Sequence, residues 1–514
     1  MVTRKFRVVC INAPVNIRPY ISSQTHFECA RETSKRAGYQ LNSIQPKMNS
    51  SKSEFEASPE FAGNKDTLDP LKSFREKFFI PKAQDGSEAI YFTGNSLGLQ
   101  PKAARSYVEQ ELDDWAALAV EGHVNARNPW LPYHEFLTEN MARVVGALPI
   151  ETVVMNSLTV NLHLMMVSFY RPTSTRNKIV IEKGAFPSDQ YAVESQIKFH
   201  KDLSPGFRRP PEDAPYGGEN VGLPKGGTQN ALKGGTKNST QNQAQNVLVE
   251  LAPRDGEPTL RTEDIIETIE RHGNEIALVM LGGVNYYTGQ AFDMRAITKA
   301  AHAVGANVGF DLAHAAGNLE LRLHDWDLDF AVWCSYKYLN AGPGGVAGAF
   351  VHERHARAFE LPRFTGWWGH DKATRFLMGP EFVPLEGAEG WQISNPPILQ
   401  MAALRASLEI FDEATIPVLR AKSVDLTGYL ELLLEQIEDE RISVITPSDP
   451  AQRGCQLSIR VKNADKSLFD AITAQGVFAD WREPDVIRVA PVPLYNSFTD
   501  AFRFSEILKN CLRK

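Results

Sequence analysis

Residues 305–350, GANVGFDLAHAAGNLELRLHDWDLDFAVWCSYKYLNAGPGGVAGAF, constrain this chain more than any other stretch. The apolar run that ends in Asp311 reads as a buried parallel strand. Sites in α/β proteins lie at the carboxyl ends of such strands, so Asp311 is expected to face a cleft. A second buried run, Phe330-Ala-Val-Trp-Cys334, delivers Ser335-Tyr336-Lys337 to its own end. The 26 residues from Asp311 to Lys337 leave room for one connection, which sets a carboxylate beside a lysine.

That pair suits a carbonyl cofactor. The lysine can form a Schiff base, while the carboxylate keeps a pyridine nitrogen protonated so that the ring accepts electrons, which is the pyridoxal phosphate arrangement. A lone Asp and Lys would read better as a helix cap and a solvated side chain. Here, however, Lys337 lies between two tyrosines, after Trp333 and before Asn340-Ala-Gly-Pro-Gly-Gly, a setting for close backbone approach to a ligand. The glycines also match a dinucleotide fingerprint, Gly342-x-Gly344-x-x-Ala347, but they run into a strand-like segment instead of opening a helix, which argues against a dinucleotide.

Five hundred and fourteen residues, 43% of them hydrophobic, exceed one ordinary core, so two domains are expected. A net charge of -7 carries no polyanion-binding signature, and nucleic acid is not an expected partner. Cys10, Cys29, Cys334, Cys455 and Cys511 are scattered and never spaced C-x-x-C, which suggests neither a disulfide framework nor a metal site and fits a reducing, cytoplasmic setting. No apolar stretch reaches the roughly 18 residues that span a bilayer.

Residues 1–47 carry eight Arg or Lys and two Glu, a balance found in mitochondrial transit peptides and equally in disordered arms. Disorder is expected to about residue 66. Residues 67–110 are assigned to an N-terminal segment of a small domain, 111–395 to a large domain and 396–514 to the C-terminal small domain. Leu68 to Phe79 has helical spacing, Ala89-Ile-Tyr-Phe-Thr reads as a short strand, and Ala103 to Ala119 as a helix. Val153-Val-Met-Asn-Ser-Leu158-Thr159 passes from a strand into an apolar helix whose N-terminus could cradle a phosphate or simply be capped by Asn156 or Ser157. Residues 204–246, rich in Gly, Asn, Gln and Thr, cannot bury a core and are expected to be a disordered insertion. Beyond them the strand 246–250, the helix Thr262 to His272 and the strand Ile276 to Gly282 give the doubly wound alternation. Arg488 sits in an apolar strand, where an unpaired charge is costly and a substrate α-carboxylate would satisfy it.

Phe310-Asp311-Leu-Ala-His314-Ala, Trp333-Cys-Ser-Tyr336-Lys337-Tyr-Leu-Asn-Ala-Gly, Gly366-Trp367-Trp-Gly-His370 and Ile393-Ser-Asn395-Pro-Pro together resemble the kynureninase family. The resemblance runs from about Tyr91 to the C-terminus. It implies a pyridoxal-phosphate enzyme of fold type I, α/β, with a mostly parallel seven-stranded sheet, a smaller α+β domain and active sites at the interface of a homodimer. It implies hydrolytic Cβ–Cγ cleavage of L-3-hydroxykynurenine or L-kynurenine. Lys337 would hold the cofactor, Asp311 its ring nitrogen and His314 that face of it, with Tyr336 on the phosphate. Leu158, Thr159, Phe186, Pro187, Ser188, Asp189, Trp367 and Asn395 would be further cofactor contacts, Phe186 by stacking. Ser96, His123, Asn395 and Arg488 would meet the substrate. The Gly366–His370 segment reads either as an interface patch or as a site wall shared between subunits. Many kynureninases have a hydroxyl residue where this chain has Gly282, so that phosphate contact is absent or falls to a backbone amide. The rivals are a cysteine desulfurase or aminotransferase of the same fold, or a catalytically silent binding protein. A desulfurase needs a nucleophilic cysteine on a mobile loop, whereas Cys455 reads as part of a strand.

Overall fold

The structure of the protein, a computed structural model, describes residues 55–202 and 247–513. The expectations for residues 1–54 and for the insertion lie outside the described residues. After β1 (Ile90–Tyr91) come β2 (Thr152–Val154), β3 (Lys178–Glu182), β4 (Leu248–Leu251), β5 (Ile276–Gly282), β6 (Asn307–Asp311), β7 (Phe330–Trp333) and β8 (Gly348–Val351). The last seven form one sheet in the order β2-β8-β7-β6-β5-β3-β4, parallel except for β8, which runs against both its neighbours. Side chains alternate between two cores: Val279, Leu281, Ala331 and Trp333 point to one, Leu278, Met280, Phe330 and Val332 to the other. A sheet buried on both faces explains why these strands are apolar throughout.

A second, antiparallel sheet takes the order β12-β13-β10-β9, from β9 (Ile442–Val444), β10 (Leu457–Val461), β12 (Asp480–Arg482) and β13 (Val486–Val489). Between them β11 (Val477–Phe478) pairs with β1 in parallel, tying the N-terminal segment to the C-terminal one. Leu457, Ile459, Ile487 and Val489 bury one face of this sheet in a core shared with the helices Ile416–Glu435 and Phe498–Leu512.

Order begins earlier than composition suggests. Pro59–Leu68 is a helix, not part of a disordered arm: Ser58 accepts from the Phe61 amide, Pro59 takes the first turn and Ala62 is buried. The Asp66 carboxylate accepts from the amides of Phe498 (2.6 Å) and Thr499 (3.0 Å), capping the C-terminal helix. That bond spans most of the chain, so no local composition reports it. The helix expected over Leu68 to Phe79 is broken, because Pro70 disfavours helical backbone at Asp69. A 3-10 turn, Lys72–Lys77, follows, and Asp69 pairs with Lys422 at 2.7 Å.

Candidate active site

The carboxyl ends of β3, β5, β6 and β7 open onto one cleft of about 580 Å³. Leu158, Thr159, Phe186, Ser188, Asp189, Gly282, Asp311, His314, Tyr336 and Lys337 all line it. Lys337 Nζ lies 3.0 Å from His314 Nε2 and 5.8 Å from the Phe186 ring centre. Burial, together with the cations Lys337, Arg488 and Arg482, holds His314 well below its ordinary pKa, so its ring is neutral and accepts from the lysine. Burial raises the Asp311 carboxyl, while Lys337 and the Ala313 amide (2.7 Å) oppose the shift. Burial and the neighbouring Asp311 push the Asp189 carboxyl well above its ordinary range. Tyr336, raised by burial and by Cys334, is a neutral phenol.

These groups fit pyridoxal phosphate. The helix Leu158–Phe169 has no side-chain cap, Asn156 bonding instead to Asn161, so its first amides are available to an anion and the capping alternative falls away. Phe186 is 41% exposed inside the cleft, leaving a ring face uncovered for a planar ligand. Asp189 Oδ1 and His314 Nδ1 are buried polar atoms with no partner in the protein.

The remaining expected residues do not line this cleft. Ser96 is exposed on the 94–99 loop, which touches the lysine turn through the Gly98 amide and the Tyr336 carbonyl at 2.8 Å. Pro187 begins the helix Pro187–Asp202, beside the cleft-lining Phe186 and Ser188. His123 is half-buried and edge-on to Trp130. Asn395 lines a separate hollow with Asn156 and Gly344, and Trp367 a third with His370 and Arg375. Arg488 has partners within the protein: it donates to Asp480, opposite it across the β12–β13 ladder, and to the Tyr286 carbonyl. A charge that deep is retained because it is paired.

Glu182, Val284, Asn285, Tyr286 and Ala313 also line the cleft, and the sequence reading passed them over. Glu182 was within reach of it, since the strand-end rule that singles out Asp311 applies equally to the last residue of β3. Its carboxylate accepts from the Gly282 amide (2.9 Å) and from Asn285 Nδ2 (2.6 Å). Tyr286 meets Phe186 edge to face, ring centres 5.4 Å apart, a contact that no local pattern encodes.

The family model described as the kynureninase C-terminal domain matches residues 419–508. A kynureninase of Koribacter versatilis is 58% identical over 450 residues, 88% of this chain and 97% of the relative. One of Myxococcus xanthus is 56% identical over 460 residues, 90% of this chain and 99% of the relative. Among solved structures, the cysteine desulfurase CsdA of Escherichia coli superposes with a TM-score of 0.63 at 15% identity, covering 86% of this chain and 98% of its own, a likeness of fold alone. Cys455, the residue a desulfurase reading would need, is fully buried, and burial pushes its thiol up to about 12. Such a thiol is no nucleophile. With strand-end geometry, sheet order and extended identity in agreement, the chain belongs to the kynureninase family.

Proposed function

We propose that this protein hydrolyses the Cβ–Cγ bond of L-3-hydroxykynurenine, and of L-kynurenine less well, releasing L-alanine with 3-hydroxyanthranilate or anthranilate. The observation that carries the reading is the meeting of Lys337, His314 and Asp311 at the ends of β7 and β6. Bound there, pyridoxal phosphate supplies the electron sink that lets bonds at Cα and then Cβ break. Lys337 would anchor the cofactor and, through Nζ, carry the Cα proton. Neutral His314 orients that amine by accepting its hydrogen bond. Anionic Asp311 keeps a proton on the ring nitrogen, with Asp189 beside it. Leu158 and Thr159 hold the phosphate at the helix N-terminus, Tyr336 adds its phenol there and relays protons, and Phe186 forms a stacking wall with Pro187 and Ser188 behind it. Arg488 takes the substrate α-carboxylate, and Ser96 faces the bound substrate from its loop.

His123, Trp367 and Asn395 act across a homodimer interface, each completing the cleft of a second copy. Exposed Leu112, Trp115, Val120 and Val124, which lead along helix Ala104–Leu118 to His123, support that reading. His123 and Asn395 can both hydrogen-bond a phenolic hydroxyl, and a site so built discriminates against the analogue that lacks it. Buried free thiols at Cys334 and Cys455 suit a cytoplasmic protein, and no helix among the described residues is long and apolar enough to cross a membrane.

The purified protein should convert 3-hydroxykynurenine to 3-hydroxyanthranilate and alanine with a higher kcat/KM than kynurenine. Equal values for the two substrates would refute the roles of His123 and Asn395. Mixing inactive Lys337→Ala and Asn395→Ala proteins should restore activity through mixed dimers, and no restoration would refute the shared site.

A further inference from the structure

Two guanidinium groups, not one, lie on the face of the small sheet that meets the cleft-lining Tyr286. β12 and β13 are antiparallel, with Asp480 opposite Arg488, so Asp480, Arg482 and Arg488 project from the same face of the small sheet. The opposite face carries Ile487 and Val489 into the core. The polar face docks on the loop after β5: Ser458, the other register partner of Arg488, donates to the Tyr287 carbonyl at 2.6 Å, and Arg488 donates to that of Tyr286. Tyr286 itself lines the cleft. The single Asp480 carboxylate serves both cations, pairing with Arg488 and, at 3.1 Å, with Arg482. One negative charge against two leaves a surplus positive charge on this face. Each guanidinium also keeps a buried Nε–H with no acceptor. The fields of both reach His314, whose ring they help hold neutral.

We propose that Arg482 is a second substrate-binding residue, completing with Arg488 a two-arginine clamp for the amino-acid carboxylate, with Asp480 as the positioning residue that orders both. This rests on the reading above, in which Arg488 receives that carboxylate, and extends it to a residue whose half-buried position on an edge strand disguises it. A carboxylate brings the charge that one Asp480 leaves uncompensated, and two forks offer more donors than Arg488 has free after its bonds to Asp480 and Tyr286. Arg482 would thereby favour free amino acids over their amides.

The test compares 3-hydroxykynurenine with its α-carboxamide, using cofactor-loaded dimeric protein, wild type, Arg482→Gln, Arg482→Lys and Arg488→Lys. Arg482→Gln should raise KM for the acid about tenfold with little change in kcat, and lower the acid-to-amide ratio of kcat/KM by the same factor, since hydrogen bonds to a charged group are at stake. Arg482→Lys should recover part of that ratio. A folding defect would lower acid and amide rates together and leave the ratio unmoved, so the ratio isolates carboxylate binding. If Arg488→Lys reduces the ratio and Arg482→Gln leaves it at the wild-type value, the two-arginine clamp is overturned while the Arg488 reading stands. If neither variant moves the ratio, the carboxylate site lies elsewhere and both fail.

Discussion

Gly98→Ala asks whether the 94–99 loop sets the position of Lys337, the proposed cofactor anchor. A Cβ on Gly98 would stand 2.2 Å from the Lys337 carbonyl oxygen, 2.3 Å from Asn340 Oδ1 and 2.9 Å from Asn340 Cα. Neither backbone atom can swing aside. The Lys337 carbonyl already accepts from the Asn340 amide at 3.0 Å, and Gly98 donates to the Tyr336 carbonyl at 2.8 Å. Because real Cβ atoms keep at least 3.0 Å, the loop and the lysine turn must part by about 0.8 Å. Overpacking of this kind costs about 1–3 kcal/mol, and straining one of the backbone hydrogen bonds adds about 1 kcal/mol. Moving a reacting group by about 1 Å costs on the order of 100-fold in rate. The expected result is a kcat/KM reduced by one to two orders of magnitude, together with a fall in Tm of a few degrees. Gly63→Ala is the control: nothing lies within 4 Å of its Cβ, and within helix Pro59–Leu68 alanine should stabilise by up to about 1 kcal/mol. Steady-state kinetics and thermal unfolding on the same cofactor-saturated preparations decide the matter. A Gly98→Ala protein with reduced Tm and wild-type kcat/KM would show that the lysine is placed by its own strand and that the loop contributes stability alone.

Lys337→Ala should lose the borohydride-trapped cofactor adduct, and an adduct mapped to a different lysine would sink the assignment. Asp311→Ala should abolish turnover far more completely than folding, because the role proposed for its carboxylate is at the ring nitrogen and it contributes little core; wild-type turnover in a cofactor-loaded variant would refute this. Burial works against the charge on Glu389, yet the hydrogen bond from His134 and the Lys372 ammonium outweigh it and hold the carboxyl at about 2 against 4.5 in the unfolded chain. A depressed folded-state pKa gives stability that is present above pH 4.5 and lost as pH falls towards 2, at most on the order of 3 kcal/mol. Glu389→Gln should therefore flatten the acid limb of the stability curve in that window, and an unchanged acid limb would count against the pairing. Deleting 204–246 behind a short Gly-Ser bridge should leave kcat/KM nearly unchanged, because closure entropy varies slowly with loop length; loss of activity would show that the segment supports the site.

The parts of the site that were legible in the sequence share one origin. Asp311, Lys337 and their neighbours sit where buried strands end, and strands buried on both faces announce themselves as apolar runs. The sheet order, by contrast, rests on pairings far apart in sequence, such as β2 with β8, that no window of residues contains. The same holds for Asp66, whose capping role is set by a helix more than 400 residues later, and for Asp480, an ordinary edge-strand acid until the ladder places it opposite Arg488. A mid-strand arginine signals that some anion must be near. It cannot say whether that anion belongs to the protein, and here one does.

Gly282 shows how a missing group can be explained by what stands in its place. A Cβ there would come within 3.1 Å of Glu182 Oε1, closer than nearly all real contacts, so a hydroxyl residue requires the carboxylate to shift. With glycine, the Gly282 amide donates to that oxygen while Asn285 Nδ2 donates to the other. Two donors compensate a carboxylate that burial, chiefly, and then Asp311 make costly to ionise. Glycine, glutamate and asparagine thus form one unit at the ends of β3 and β5, and its logic is electrostatic. The cleft already holds Asp189 and Asp311, both raised by burial, and a third carboxylate without donors would add to the cost of charge there. Glu182 is thereby satisfied within the protein by Gly282 and Asn285, apart from Asp189 and Asp311, and its Oε1 occupies the space that a side chain at position 282 would need.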